Sequence, residues 1–290
     1  MRLTTGLKQL RSLLFLPATA DHLLAKATER GADALVVDLE DAIPPDRKAA
    51  ARPMARTAVQ QLAARGATVI LRVNSEPDLW RQDLQDMPLH NLAAVMLPKV
   101  ETPAQVEAFA QALAASVAAA GHHDHTPPPI AALLETPRGV LAAQQIAPHP
   151  ALCALGFGAE DYAGALGVPP EPAALTWPAH QVLTCAHAHG LACWGLAGSI
   201  AVVDDVAGFE QTVRAGRAMG FTGSVCIHPR QVPIVNRGFS PSAQERAWAA
   251  RVVAADEAAR TAGLGAVLLD GRMIDRPIVE RARRWLAFAE

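Results

Sequence analysis

Eight times along this chain a short apolar run rich in β-formers gives way to a stretch able to form a helix, and few folds accept that order. The runs are SLLFLP (12–17), ALVVDLE (34–40), TVILRVN (68–74), AAVMLPK (93–99), IAALLET (130–136), ALGFGAED (154–161), ACWGLAG (192–198) and GSVCIHP (223–229). Runs of this length read as buried strands, and strands separated by helical crossovers lie parallel. Eight such units within 290 residues predict an α/β protein, a (β/α)8 TIM barrel, with a doubly wound open sheet as the alternative. The barrel is assigned to residues 1–240 and a C-terminal helical extension to 241–290. Two helix starts are explicit. Thr102-Pro-Ala-Gln105 is a capping box with proline at the first helical position, followed by Val106, Phe109, Leu113 and Val117 on one face. Ser242-Ala-Gln-Glu245 is a second box, followed by Trp248, Val252 and Ala255.

In a parallel barrel the site is built at the carboxyl ends of the strands. Here those ends are polar: Asp38, Glu40 and Asp41; Arg72 and Asn74; Lys99; Glu135; Glu160 and Asp161; the GLAGS turn (195–199); and His228. Buried carboxylates are costly unless a cation, a partner or water compensates, so the acidic cluster after the second run belongs to a mixed-charge pocket. A ligand set of carboxylates without sulfur or paired histidines suits a hard cation, Mg2+ or Mn2+. Glu135 and Asp161, on adjacent strands, are the candidate ligands. Arg72, a permanent cation among apolar neighbours, is placed to hold a substrate carboxylate or oxyanion, or to bridge to the Asp38 cluster. Lys99, after Leu97-Pro98, balances nearby carboxylates, with a Schiff-base lysine as the alternative. Gly198 and Ser199 offer a small-residue turn for an anion. His228 reads as a space-filler or a backbone hydrogen-bonding group, and the HHDH tract (122–125) as solvated loop.

The net charge of −2 gives no global electrostatic support for binding nucleic acid or an anionic membrane. Cys153, Cys185, Cys193 and Cys226 lie far apart in apolar segments, which suits buried free thiols and a reducing, cytoplasmic setting. The N-terminal apolar stretch is short and runs into Pro17, unlike a secretory signal. The uncharged window 139–159 contains Pro148, His149, Pro150 and two glutamines, which does not describe a membrane span.

RSLLFLPA (11–18), GADALVVDLEDAIPPDRKAAAR (31–52), LRVN (71–74), LPKVE (97–101), LLETPRGV (133–140), GFGAEDYAGALG (156–167), CIHPRQV (226–232) and DGRMIDRPIVERARR (270–284) together resemble the HpcH/HpaI aldolase and citrate lyase beta-subunit-like family, in order and nearly end to end. The resemblance implies a TIM barrel with Mg2+ on Glu135 and Asp161, and Arg72 on the carbonyl oxygens of the substrate. It further implies that the Asp38, Glu40 and Asp41 segment supports Arg72 and metal-bound water. Asp275 of the MID motif would reach a neighbouring subunit's site, which makes the enzyme a homo-oligomer, a trimer or hexamer, with the extension as a lid. The implied chemistry is cleavage of a 3-hydroxy-acyl-CoA of malyl, citramalyl or citryl type into an acyl-CoA and an oxo acid. Arg72, Asp275, Glu40 and Asp41 are then the catalytic candidates, and Asp38, Lys99, Gly198 and Ser199 further substrate contacts. The alternatives are an aldolase on free 2-oxo acids, or a citrate lyase beta-like subunit that acts on, or only binds, a carrier-borne thioester. Two departures from the family pattern stand out. Ala18 replaces a frequent glycine, and WGLAGSI replaces an Ile-Asp pair, which implies a pocket selecting a different acid. Arg11, Lys26, Arg47 and Lys48 are candidate contacts for CoA phosphates.

Overall fold

The structure is a computed structural model that describes residues 6–121, 126–264 and 267–288; the HHDH tract lies outside them. The chain divides into two compact units, 1–239 and 240–290.

The first unit contains eight parallel strands: β1 (Ser12–Pro17), β2 (Ala34–Asp38), β3 (Val69–Arg72), β4 (Ala94–Leu97), β5 (Ile130–Leu134), β6 (Leu152–Phe157), β7 (Ala192–Gly195) and β8 (Ser224–Cys226). They pair in the order β7-β6-β5-β4-β3-β2-β1-β8. A parallel bridge between Trp194 and Gly223, with the Gly195 N–H donating to the Gly223 carbonyl at 3.0 Å, joins the two ends of the sheet. This is the (β/α)8 barrel, and the open-sheet alternative falls. Besides a single helical turn at Asp21–Leu24, its helices are α1 (Lys48–Ala64), α2 (Pro77–Leu84), α3 (Pro103–Ala119), α4 (Pro137–Ile146), α5 (Ala159–Leu166), α6 (Pro172–Ala188), α7 (Val206–Met219) and α8 (Gln231–Phe239). The capping box at Thr102 and Gln105 forms, and Val106, Phe109, Leu113 and Val117 are the buried face of α3.

Alternation along the strands divides the core. Ala34, Val36, Ile70, Met96, Ala131, Leu133, Ala192 and Trp194 fill the barrel interior. Leu35, Val37, Leu71, Leu97, Ala132 and Cys193 pack outward under the helices. Because the side-chain period of a strand is two, the next inward position after Val36 is Asp38, after Ile70 it is Arg72, and after Leu133 it is Glu135. The polar residues at the run ends therefore rise from the barrel axis. All four cysteines are free and buried. No helix among the described residues is long and apolar enough to cross a membrane.

The second unit holds α9 (Ala243–Thr261), the antiparallel hairpin β9 (Val267–Leu269) and β10 (Arg272–Ile274), and α10 (Arg276–Leu286). Asp270 and Gly271 at φ 51° and 74° make its two-residue turn, the conformation that Asp-Gly favours. Its core is Ala249, Val252, Ile274, Val279 and Ala282, with the Trp248 and Trp285 rings 5.6 Å apart beside it. The capping box at Ser242 and Glu245 forms as expected.

Candidate metal and substrate site

The strands stop before the apolar runs do. Glu40, Asn74, Lys99 and Glu135 lie in the loops just beyond β2 to β5, and Glu160 and Asp161 sit in the first turn of α5 instead of at a strand end. The correction has a physical reason: Gly158 breaks the run after Phe157, and carboxylates are favourable in a helix's first turn.

Asp38 and Arg72 are register partners across β2 and β3. That places a fork-to-fork pair between them, with Arg72 Nε on Asp38 Oδ1 and Nη2 on Oδ2, each at 2.7 Å. Nη1 lies 2.8 Å from Glu40 and 3.5 Å from Asp41, and the guanidinium carbon stacks 4.6 Å from the centre of the Phe15 ring. Asp38 also accepts from the Glu40 N–H at 2.9 Å, so this residue, expected as a substrate contact, has its oxygens committed to holding Arg72 and the loop. Lys99 reaches the same carboxylates, Glu40 Oε1 at 2.5 Å and Asp41 Oδ1 at 3.2 Å. Burial weakens the charge of both cations, but hydrogen bonds and Coulomb attraction from these carboxylates more than offset it, leaving Arg72 and Lys99 firmly protonated. Burial likewise pushes Glu40 up to about 7 against the pull of Arg72 and Lys99. At Asp41 burial is outweighed by its bonds to Glu40, Arg72 and Lys99, which hold it low.

Lys99 adopts φ 52°, the left-handed region, without being glycine. In that conformation its N–H donates to Glu135 Oε1 at 2.8 Å. Glu135 is 3 % exposed. Burial first, then the charges of Asp161 and Glu40, push its carboxyl up to about 8. Burial and Asp41 raise Asp161 as well. Glu135, Asp161, Asp38, Asp41 and Arg72 all line one cavity of about 310 Å3, with Phe15, Leu133, Phe157, Trp194 and Leu196 as its apolar wall.

Glu135 is buried while Asp161 stands exposed at the edge of the cavity, and the charge of Asp161 adds to the cost of ionising Glu135; a divalent cation between them reverses that electrostatic penalty. Among the described residues no group of three or more His, Cys, Asp or Glu side chains is arranged to hold a metal. A site of two carboxylates is the pattern of Mg2+, which keeps water or substrate oxygens as its other ligands.

Gly198 lines the cavity. Ser199 instead donates its hydroxyl to Glu160 at 2.5 Å, and the Ile200 N–H donates to the same oxygen at 3.2 Å; Glu160 thus braces the loop after β7. Asp275 belongs to the second unit, where it caps α10 by accepting from the Ile278 N–H at 3.4 Å. His228 accepts from the Arg230 N–H at 3.2 Å, the backbone role expected of it. Two phosphate candidates are already engaged. Arg11 forks onto Asp33 at 2.8 Å, at the end of β1 away from the cavity. Lys48 donates to the Leu39 and Glu40 carbonyls at 3.2 and 3.1 Å, fixing the acidic loop. Residues that sequence reasoning missed include Phe15 under Arg72 and Gly158, where a Cβ would come within 2.5 Å of Glu135 Oε2. A glycine two positions before an acidic pair was the one signal for the latter.

The fold and this cavity define a TIM-barrel protein with a carboxylate-rich cavity around one arginine at the carboxyl ends of its strands. Residues 11–229 match the family model of HpcH/HpaI aldolase/citrate lyase, and the chain belongs to that family of lyases. It is 36 % identical over 284 residues to a citrate lyase subunit beta-like protein of Deinococcus radiodurans, covering 96 % of each chain. It is 35 % identical to a (3S)-malyl-CoA thioesterase of Cereibacter sphaeroides, covering 97 % of this chain and 94 % of that one. The crystal structure of protein CitE from Mycobacterium tuberculosis, in complex with magnesium, acetoacetate and coenzyme A, superposes with a TM-score of 0.73 at 29 % identity, over 96 % of this chain and 98 % of that one.

Proposed function

We propose that this protein is a Mg2+-dependent carbon–carbon lyase that cleaves a 3-hydroxy-acyl-CoA into an acyl-CoA and a 2-oxo acid. The observation that carries the reading is the meeting of Glu135, Asp161 and Arg72 on one cavity wall. Glu135 and Asp161 would hold Mg2+, which when bound supplies Lewis acidity to the substrate's oxygens.

The chain's own residues account for the rest. Arg72, kept cationic and immobile by Asp38 and stacked on Phe15, orients the acid carboxylate and stabilises charge on the carbonyl oxygen that forms as the carbon–carbon bond breaks. Cleavage takes the proton from the substrate's 3-hydroxyl and returns one to the α-carbon of the thioester enolate. Glu40, near neutrality and bonded to both cations, is matched to proton exchange at its Oε atoms, with Asp41 beside it. Asp275 is assigned the proton at the α-carbon, delivered from a neighbouring copy in a homo-oligomer. Lys99 neutralises the acidic loop, and Gly198, where a Cβ would meet the Thr212 side chain, lets the turn after β7 pack closely against α7. Leu133, Phe157 and Trp194 exclude water from the enolate.

The test is turnover of malyl-, citramalyl- and citryl-CoA with and without Mg2+, following the oxo acid. Glu135→Gln and Asp161→Asn are each expected to abolish turnover with the fold retained by circular dichroism. Full activity in both variants would refute the metal assignment. The thioesterase relative favours a second reading, hydrolysis of the thioester; free CoA with intact hydroxy acid among the products identifies it.

A further inference from the structure

We infer that Asp83, on α2 and outside the cavity, is a positioning residue for the reaction: through Asn74 and Lys48 it sets where the Glu40 carboxyl stands between Arg72 and Lys99. The inference rests on the function proposed above and adds to it a residue that does not line the cavity.

The Asp83 side chain has no exposure to solvent, and its two oxygens have separate tasks. Oδ1 accepts from Arg52 Nε at 2.8 Å, which ties α1 to α2. Oδ2 accepts twice from Asn74, from its main-chain N–H at 2.9 Å and from its Nδ2 at 2.6 Å. Those two bonds fix the amide: turned over, it would set its oxygen against the carboxylate and its NH2 against an ammonium. The Asn74 oxygen therefore faces Lys48, one turn before Arg52 on α1, and accepts from Nζ. The other bonds of Lys48 go to the Leu39 and Glu40 carbonyls, which accounts for every donor that an ammonium has.

At the far end of this chain of bonds is the acidic loop. Its Glu40 carboxyl meets Arg72 Nη1 at 2.8 Å and Lys99 Nζ at 2.5 Å, and its Leu39 N–H donates to the Arg72 carbonyl at 3.0 Å. The Asn74 N–H that Asp83 holds lies two residues beyond Arg72. Asp83 thus grips the segment leaving Arg72 directly, and the loop presenting Glu40 through two further links. Stability alone does not call for this arrangement. Apolar side chains of similar volume often replace a buried ion pair at no cost, and the Arg52–Asp83 pair would join the two helices without Asn74 or Lys48. Proton exchange at Glu40 does call for it, because misplacing a reacting group by about 1 Å can cost about 100-fold in rate.

The experiment measures kcat, KM and Mg2+ affinity in the full-length protein, with whichever of malyl-, citramalyl- and citryl-CoA the wild type cleaves. Asp83→Asn and Lys48→Met are each expected to lower kcat at least about tenfold, while KM and the calorimetric Mg2+ affinity move less than about threefold. Because both cut one chain of bonds, the double variant is expected to lose no more than the worse single variant. Asn74→Ala cuts the same chain and keeps the Arg52–Asp83 pair, so it carries the test where Asp83→Asn does not fold. Wild-type kcat in folded Asp83→Asn or Asn74→Ala protein overturns the inference. So do losses that multiply in the double variant, or losses that fall equally on Mg2+ affinity, which mark a general loosening of the barrel. Each of these results leaves the lyase reading standing. Absence of turnover by the wild type overturns that reading and the inference with it.

Discussion

Replacing Gly158 with alanine tests the metal assignment without touching a ligand. The backbone there, φ −90° and ψ 92°, is open to any residue, so the substitution carries no conformational penalty of its own. The added Cβ would lie 2.4 Å from Glu135 Cβ and 2.5 Å from Oε2, whereas ordinary contact begins near 3.4 Å. Relief therefore requires Glu135 to move by about 1 Å, and metal–ligand distances tolerate about 0.2 Å. Glu135 cannot yield freely, because Oε1 is held by the Lys99 N–H. A displaced ligand on that scale is expected to weaken Mg2+ by about 10- to 100-fold, with an overpacking cost of about 1–3 kcal/mol in stability. Gly164→Ala is the control: the same change, also on α5, with nothing within 4 Å of the new methyl; it is expected to leave metal affinity unaltered. Isothermal titration with Mg2+ or Mn2+ and thermal melts in EDTA separate the two effects. Wild-type affinity in Gly158→Ala would remove Glu135 from the coordination shell.

Three further outcomes follow from the same geometry. In metal-free protein Glu135 titrates near about 8, above its ordinary 4.5. A raised acid contributes stability at low pH that is lost as pH rises through that window, so the melting temperature in EDTA should fall between pH 5 and 9, and Mg2+ should flatten the fall; a melting temperature that climbs with pH in EDTA would contradict this. Proton competition should likewise make the apparent Mg2+ affinity at pH 6 about 100-fold weaker than its plateau above pH 8, measured by titration. Asp38→Ala leaves Arg72 buried without its fork partner and should cost about 3–5 kcal/mol in chemical denaturation, whereas Ser242→Ala, which removes only the cap of α9, should cost about 1 kcal/mol.

Much of the barrel was legible because its strands are buried on both faces and so appear as unbroken apolar runs; β1 matches its run from end to end. The polar residues closing those runs also announced the site, since position along a parallel strand decides which rim a side chain joins. Where a strand passes into a loop or helix was harder to read, because apolar residues continue past the last ladder bond. Asp161 was assigned to a strand for that reason. Contacts between the segments that follow the strands left no local trace. Ser199 meets Glu160 across 39 positions, and Lys48 appeared free for a phosphate until the fold brought the Leu39 carbonyl to it. A left-handed lysine has no sequence signature at all.

That lysine has a consequence for how the pocket is held together. At position 99 the main chain grips the carboxylate assigned to the ion, while the side chain of the same residue grips the acids that steady the guanidinium. One amino acid is thus a rivet between the electrophilic and the anion-receiving halves. The two halves are thereby joined over a single residue's length, with no hinge or loop between them.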